Sequence, residues 1–459
     1  MARSLRAALD SGPMSLFQWT AVGVCVLLNV LDGFDVLVMA FTGQAVSAEW
    51  DLTGVQLGLL LSAGLVGMAA GSMLLAPWAD RLGRRPMILA CLAIAATGML
   101  LSSASQSPLQ LGLLRVLTGV GIGGILASSN VIASEYASQR WRGLAVSLNS
   151  TGYAIGATVG GLLSVTLISE FGWRSVFLCG GLATAAVIPL VLVALPESLD
   201  FLLTRRPARA LERVNALARR LGHPSLDRLP AAAPAPSGAA AGFLRLLAPG
   251  TRRSTFLLWS LFFLVMAGYY VVTSWTPVLL AEAGLSADQG ITGGTLLNLG
   301  GIFGAAALGA LAAHFALRRV LVGYLAATAA LLAALVLFTS SPAVAFGTGA
   351  LIGLFASGCV AGLYALSPAV YETGVRTTGV GTAIGIGRVG AITAPSATGA
   401  LLDAGWTPQN LYLAVGAVFA AAAVLLLTVR PVAASAPEPV DGAPAGQVPD
   451  AVPSRPESA

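Results

Sequence analysis

The feature that most constrains this chain is a succession of apolar segments, each about as long as a lipid bilayer is thick. A membrane-spanning helix needs about 20 mostly apolar residues, because the hydrocarbon core is about 30 Å thick and each helical residue rises about 1.5 Å. Charged residues make up only 10% of the 459, too few to cover a water-facing surface, since soluble domains carry about 25%. Twelve spans are predicted, in two groups of six. They lie near 17–42, 55–79, 86–104, 108–133, 143–169 and 174–195, and near 254–281, 291–314, 318–339, 343–370, 377–403 and 409–429.

This grouping predicts an all-α membrane protein built from two six-helix bundles. The bundles occupy residues 1–195 and 254–430, joined by a linker over 196–253 and followed by a tail over 431–459. Within the linker, residues 207–222 have the pattern of a short basic amphipathic helix on the membrane surface, although a solvated connector fits equally well. The tail is rich in Pro, Ala and acidic residues and is expected to be disordered.

The orientation follows from arginine, since the chain contains no lysine. Loops on one side of the predicted spans hold nearly all the arginines, and those on the other side hold only Arg174. Because basic residues concentrate in cytoplasmic loops, both termini and the linker are expected to be cytoplasmic. The arginine-only usage suggests a bacterial source, hence a multi-pass protein of the bacterial inner membrane. The net charge of +5 is therefore explained by the arginines of the cytoplasmic loops. The sequence shows no basic soluble module that would bind nucleic acid.

The two groups of spans echo each other in sequence. Residues 31–36 parallel 266–271, and the Arg-x-x-Gly motif at Arg140 recurs at Arg376, at offsets of 235 and 236 residues. Two repeated halves are a transporter architecture, with the substrate site near the bilayer midplane between them. A soluble enzyme is therefore not expected. A non-transporting receptor or scaffold is the alternative from another class, but it would normally carry a large soluble output domain.

Charged residues inside the spans are the first candidates for function, because they are costly in a bilayer. Asp32 and Asp35 stand three residues apart in the first span, and so share a helix face. Two neighbouring carboxylates repel in a low dielectric, so they are not both expected to be ionised, as proton coupling requires. The alternative is a structural role in pinning the first helix. Arg388, near the middle of the eleventh span, needs an anion, either a substrate carboxylate bound bidentately or one of the two acids.

The loop over residues 76–85 reads A-P-W-A-D-R-L-G-R-R. It resembles the signature loop of the major facilitator superfamily, G-x-x-x-D-R-x-G-R-R/K, with Ala76 in place of the first glycine. The resemblance implies a cytoplasmic gating latch, in which Asp80 caps helix 11 and Arg84 pairs with Glu135 at the end of helix 4. An acid at a helix N-terminus and an Arg–carboxylate pair hold two bundles together reversibly. The alternative is that these arginines only set topology. The latch residues are Asp80, Arg81, Gly83, Arg84, Arg85 and Glu135.

Further motifs resemble the aromatic acid:H⁺ symporter family. They are D-G-F-D at 32–35, R-V-L-T-G-V-G-I-G-G at 115–124, P-E-S at 196–198, S-W-T-P at 274–277 and the glycine-rich run at 378–390. The resemblance extends over all twelve spans and implies uptake of benzoate-like or hydroxybenzoate-like anions with protons, by alternating access. Transport of an aliphatic acid, a sugar or an exported drug by the same fold remains the alternative.

An aromatic substrate needs flat apolar walls and a few polar groups. The Tyr269-Tyr270 pair, which lies opposite Phe34 in the repeat, is the leading candidate for the wall, although any single aromatic residue fits packing or an interfacial belt better than ligand contact. Arg115 resembles the fourth-helix arginine that the family links to proton coupling, with an ion pair to a neighbouring helix as the alternative. The candidate substrate contacts are Arg388, Phe34, Tyr153, Tyr269, Tyr270, Trp275, Asn149 and Asn298, with Tyr364 as a further aromatic.

No cofactor is expected. The two histidines, His223 and His314, show no metal-ligand spacing, and no G-x-x-x-x-G-K-[ST] loop for ATP is present. The four cysteines all fall in predicted spans and fit packing better than disulfides. The expected partners are an aromatic acid anion, protons and the lipid bilayer, with the chain acting as a monomer.

Overall fold

A computed structural model describes residues 12–221, 226, 229, 246–248, 251–337, 342–371 and 375–429, without the side chains at positions 76, 80, 127, 337, 342 and 377. Within these ranges every regular element is helical, as the sequence predicts. The stretch 230–241 of the predicted linker and the predicted tail over 431–459 lie outside the described residues.

Among the described residues, the first half of the chain contains six long helices and three short ones. They are α1 (Leu16–Trp50), α2 (Gly54–Leu74), α3 (Ala76–Leu82), α4 (Arg84–Ser102), α5 (Pro108–Tyr136), α6 (Arg142–Phe171), α7 (Arg174–Ala194), α8 (Leu199–Arg205) and α9 (Ala210–Arg220). Capping boxes fix the starts of the first two, where Ser15 pairs with Gln18 and Thr53 pairs with Gln56. Each box satisfies backbone N–H groups that have no acceptor within the helix.

The second half contains a matching series of long helices. They are α10 (Arg252–Glu282), α11 (Ala287–Ala312), α12 (Leu317–Leu337), α13 (Pro342–Leu366), α14 (Arg376–Asp403) and α15 (Pro408–Thr428). A short 3-10 turn, Ser367–Val370, follows α13. Ser286 and Gln289 form a third capping box at the start of α11.

Eleven helices in the described residues are long and apolar enough to cross a membrane. The chain is therefore a multi-pass membrane protein. Helix α14, which corresponds to the predicted eleventh span, is not among these eleven. Its 28 residues are rich in Gly and Thr and include Arg388, which lowers its hydropathy.

Helix pairing is the same in the two halves. In each half the first long helix packs on the fifth, the second on the fourth and the third on the sixth. These pairs are α1–α6, α2–α5 and α4–α7 in the first half, and α10–α14, α11–α13 and α12–α15 in the second. The weak sequence repeat therefore corresponds to a structural repeat. The halves meet through α2–α14, α6–α11 and α1–α10.

Glycines allow the closest of these helix pairs to form. A Cβ atom at Gly67 or Gly71 of α2 would overlap the backbone of α5, and one at Gly119 would overlap the backbone of α2. The α1–α6 pair uses Gly156 in the same way, against the backbone of Val30. Lipid tails are as apolar as helix side chains, so no hydrophobic driving force joins helices within a membrane. Small residues stabilise a helix pair there because they let the two backbones pack closely.

Helix α9 forms within the segment predicted to be amphipathic. Its apolar side chains, among them Val214 and Leu217, are buried in a cluster with Leu202 of α8 and with residues of the first bundle. The guanidinium of Arg220 lies 5.7 Å from the ring centroid of Phe17 in α1. The apolar face is thus covered by the protein itself rather than lying free for a membrane surface.

Candidate functional site

A cavity of about 780 Å³ lies between the two halves, within the roughly 300–1,000 Å³ range of small-molecule sites. Both halves supply its walls, with Asp32 and Tyr153 on one side and Tyr270 and Arg388 on the other. The lining extends to Gly143 at the start of α6 and to Ala365 near the end of α13. We call the end of the molecule that holds these two helix ends the open end.

The opposite end is closed by direct contacts between the halves. Asp403, at the end of α14, accepts hydrogen bonds from the backbone N–H groups of Gly54 (2.6 Å) and Val55 (2.8 Å), at the start of α2. A hydroxyl contact of 3.0 Å between Ser62 and Ser396 also joins α2 to α14. In the described residues the cavity lining thus reaches the open end while the halves are in contact at the other end, which is one of the two arrangements that alternating access requires.

The predicted acid pair lies on α1 between the cavity and the first bundle. Asp32 is 3% exposed and lines the cavity, and Asp35 is 1% exposed, one turn further along the helix. Within the described residues, Asp32 Oδ2 and Asp35 Oδ1 have no hydrogen-bond partner. A buried carboxylate oxygen without a partner is costly in free energy. Binding a proton removes the charge and so lowers that cost.

Arg115, on α5, is packed against the acid pair from behind. Its guanidinium donates to the backbone carbonyl of Asp35 and to the sulfur of Met99, and it lies 5.8 Å from the ring centroid of Phe177. It is only 1% exposed and is not among the residues that line the cavity. Arg115 therefore lies beside Asp35 and away from the cavity lining.

Arg388 lines the cavity from α14 and is half-buried. No described residue forms a hydrogen bond or ion pair with its guanidinium. The planar guanidinium presents donors in a fork that matches a carboxylate. An organic anion in the cavity therefore has one well-defined cationic partner, on the wall opposite Asp32.

Aromatic rings surround the space between these charges. Tyr153, Tyr269, Tyr270 and Tyr364 all line the cavity. The Tyr269 and Tyr270 rings pack edge to face, with centroids 5.5 Å apart, a favourable aromatic arrangement. A flat ring entering the cavity meets aromatic faces from both halves.

Four of the predicted substrate contacts lie outside this lining. Phe34 packs against Gly160 and Gly180. Trp275 is fully buried and donates from Nε1 to the carbonyl of Pro395 at 3.0 Å. Asn298 donates to its own helix, at Gly294.

Asn149, the fourth, is also fully buried, and it bonds to Asn29 and Asn130. Its two partners line the cavity in its place. Neither asparagine was singled out by the sequence analysis, although Asn29 stands one helical turn before Asp32 and so shares its helix face.

The predicted latch loop lies at the open end. Gly83, the residue immediately before α4, has a φ of +108°, a backbone conformation that favours glycine. Glu197 of the P-E-S motif accepts hydrogen bonds from the backbone N–H groups of Arg84 (2.8 Å) and Arg85 (3.2 Å). The side chain of Asp80 lies outside the described part of the structure.

The remaining latch residues divide between surface and interior. Arg81 is exposed, and the guanidinium of Arg85 donates to the carbonyl of Leu192. Glu135 is buried and accepts a hydrogen bond of 2.9 Å from the Ser198 hydroxyl. Glu197 and Ser198 are thus part of this corner of the molecule, a role that the sequence analysis did not assign to them.

This arrangement defines the class of protein as a two-bundle membrane transporter with one central site. The family model described as Major Facilitator Superfamily matches residues 24–315 and 294–455, and the chain belongs to that superfamily. The chain is therefore a transporter rather than an enzyme.

Curated relatives align over nearly the whole chain. The chain is 33% identical over 424 residues to a gallate transporter of Pseudomonas putida, covering 91% of this chain and 93% of the relative. It is 32% identical over 449 residues to the 4-hydroxybenzoate transporter PcaK of Pseudomonas aeruginosa, covering 92% and 95%. A benzoate transport protein of Acinetobacter baylyi is 28% identical over 401 residues, covering 86% of each chain.

Solved structures of distant relatives share the fold. A D-xylose-proton symporter superimposes with a TM-score of 0.70 at 16% identity, covering 90% of this chain and 98% of that one. The inward-open conformation of the xylose transporter XylE from E. coli gives 0.70 at 15% identity, covering 91% and 97%. These similarities confirm the predicted all-helical, two-domain architecture of the superfamily.

Proposed function

We propose that this chain is a proton-coupled transporter that imports aromatic carboxylates of the benzoate and hydroxybenzoate kind. The observation that carries the proposal is the pairing of Arg388, which has no partner among the described residues, with aromatic walls and a buried acid across the same cavity. The names of the relatives, transporters of gallate, 4-hydroxybenzoate and benzoate, support the same substrate class.

The proposed topology has twelve spans, with α14 as the eleventh in chain order, and both termini in the cytoplasm of a bacterium. Helix α1 begins at the open end, so the open end is the cytoplasmic end and the structure is inward-facing. The arginine-rich loops, including Arg84-Arg85 and Arg318-Arg319, then lie on the cytoplasmic side of the inner membrane. The chain works as a monomer in the lipid bilayer, because the cavity is complete within one chain.

In this mechanism the acid pair binds the proton and Arg388 binds the substrate anion. With the outer end open, a proton binds to the Asp32/Asp35 pair and the substrate carboxylate binds to Arg388. Neutralising both charges lowers the cost of moving the loaded site through the membrane. The halves then rock to the inward-facing arrangement, where the substrate leaves through the open end, and the cytoplasmic latch controls the return.

Uptake into proteoliposomes tests this function. Labelled 4-hydroxybenzoate, 3,4-dihydroxybenzoate and benzoate are offered under an inward proton gradient, with and without a protonophore. The variants are Asp32→Asn and, as a control, Asp51→Asn. Asp51 is exposed at the end of α1 with a φ of 49°, which asparagine tolerates.

We expect accumulation that both the protonophore and Asp32→Asn abolish, while Asp51→Asn retains it. If none of the three acids accumulates with folded protein, the aromatic assignment is wrong, and aliphatic acids and export are tested next. If Asp32→Asn still accumulates substrate, proton coupling lies elsewhere, with Asp35 and Arg115 as the next candidates.

A further inference from the structure

Three asparagines form a hydrogen-bonded chain beside the cavity. Asn29 Nδ2 donates to Asn149 Oδ1 at 2.8 Å, and Asn149 Nδ2 donates to Asn130 Oδ1 at 2.7 Å. The chain joins α1, α6 and α5, and Asn29 and Asn149 are almost completely buried. Such a buried network, when its members are satisfied, holds each amide in one orientation.

The orientation of the Asn29 amide is fixed by a second contact. Its Nδ2 also lies 3.2 Å from the backbone carbonyl oxygen of Cys25 and 3.2 Å from the hydroxyl of Ser129. A carbonyl oxygen can only accept a hydrogen bond, so the nitrogen must face Cys25. The Asn29 Oδ1 atom is therefore turned away from these groups, and no described residue donates to it.

Asn130 differs from Asn29 although both line the cavity. Its Oδ1 accepts from Asn149, and its Nδ2 donates to the carbonyl of Leu126 at 3.0 Å. Both polar atoms of Asn130 are thus engaged within the bundle. In this chain of three, Asn29 is the residue that keeps an acceptor with no donor among the described residues.

Besides the Ser, Thr and Tyr hydroxyls that line both walls, three lining residues differ in hydrogen-bond type. Asn29 and Asp32, one turn apart on α1, supply acceptor oxygens from the first half. Arg388 on the second half supplies only donors. A ligand that satisfies both walls has an anionic acceptor at one end and a hydrogen-bond donor at the other.

We propose that Asn29, through Oδ1, selects aromatic acids that carry a ring hydroxyl by accepting the hydrogen bond of that hydroxyl. The inference rests on the proposed function and narrows its substrate class. In the proposed arrangement the carboxylate binds Arg388 and the ring spans the cavity, so that an O–H group at its far edge satisfies the acceptor on the opposite wall. An unsubstituted ring leaves the acceptor unpaired, which costs affinity. Asn149 is the positioning residue, because its Oδ1 holds the Asn29 amide.

Ligand pairs that differ in one hydrogen-bond donor test the proposal by equilibrium binding to purified protein. Benzoate has no para substituent, 4-hydroxybenzoate can donate, and 4-methoxybenzoate can accept but not donate. We expect 4-hydroxybenzoate to bind about tenfold more tightly than benzoate, because one hydrogen bond is worth about that factor. We expect 4-methoxybenzoate to bind no more tightly than benzoate.

The variant Asn29→Leu should remove the preference for 4-hydroxybenzoate, because the hydroxylated ligand loses its acceptor. Since Asn149 Oδ1 also loses its donor in this variant, the readout is the ratio of the two affinities within the same variant. The matched control is Thr42→Val. Thr42 is fully buried on the same helix and donates to Val38 at 2.8 Å, and it does not line the cavity. This control should keep the tenfold preference.

Each outcome decides the proposal. A preference that survives in folded Asn29→Leu overturns it, and so does tight binding of 4-methoxybenzoate to the wild type, a measurement that needs no variant. A wild type that transports benzoate and 4-hydroxybenzoate with equal affinity overturns the role of Asn29 and leaves the proposed function standing. A wild type that binds no aromatic acid overturns both.

Discussion

Removing the charge of Asp403 should open the closed end of the cavity. The carboxylate accepts the N–H groups of Gly54 and Val55, which lie in the first turn of α2 and have no acceptor within that helix. It therefore caps a helix of the first half from a helix of the second half. Asp403→Asn keeps one acceptor oxygen but loses the charge and one of the two hydrogen bonds.

The expected size of the effect follows from those two losses. A hydrogen bond to a charged group is worth about 1.5–3 kcal/mol, and an anion at an exposed helix N-terminus adds about 0.3–1 kcal/mol. Asp403 is exposed, so water screens the interaction and competes for both N–H groups. A net loss of about 1 kcal/mol corresponds to roughly a fivefold shift from the closed to the open outer end.

Pulsed electron–electron double resonance, which measures the distance between two spin labels, detects this shift. Exposed positions on the facing ends of α6 and α11 carry the labels, through Glu170→Cys and Asp288→Cys in a chain whose native cysteines are replaced. The long-distance population should grow about fivefold in Asp403→Asn and stay at the wild-type level in Asp51→Asn. An unchanged distance distribution in Asp403→Asn would refute the reasoning.

Three other perturbations have defined outcomes. Arg388→Gln should weaken binding of aromatic carboxylates by about 2 kcal/mol, roughly 30-fold, measured from the substrate dependence of uptake. Arg388→Lys should recover only part of the lost affinity, because lysine lacks the planar fork. Gly156→Ala should lower the thermal unfolding temperature in detergent because its Cβ meets the backbone of α1, whereas Gly23→Ala, with nothing within 4 Å, should be neutral. Glu197→Gln should cost about 1 kcal/mol of stability by weakening the cap of α4, and the exposed Glu212→Gln serves as its control.

The spans were predictable because their length and apolarity are imposed by the bilayer. Helix α14 shows the limit of that signal, since its glycines, threonines and Arg388 lower its hydropathy although it is a full-length helix. The charged residues of the cavity were predictable because they depart from this apolar pattern. Asp32 and Arg388 are costly in a membrane, so their presence alone indicated a site.

The uncharged lining was less predictable, because a helix buried in a bundle is apolar on every side. Phe34 and Trp275 are as aromatic as Tyr270, yet they pack inside their own halves while Tyr270 faces the cavity. Periodicity does not separate these positions when the lipid, the core and the ligand all favour apolar groups. The position of Asn29 relative to Asp32 was a usable signal, because residues three apart share a helix face.

The same pair of helices explains why Asp80 and Asp403 should act in opposite directions. Helices α2 and α14 are neighbours from different halves. At the closed end the acid that terminates α14 caps the start of α2. The superfamily resemblance implies the reciprocal contact at the other end, where Asp80, beyond the end of α2, caps the start of α14. If Asp80 forms this cap, the two caps lie at opposite ends of one interface, and we expect a rocking motion that forms one cap to break the other.

Asp80→Asn should therefore enlarge the closed-end population that Asp403→Asn depletes, and the double variant should return the label distances close to those of the wild type. Additive shifts of opposite sign are expected because the two sites are a helix length apart. If Asp80→Asn and Asp403→Asn shift the labels in the same direction, the two carboxylates do not exchange caps, and the control of access lies in other contacts between the halves.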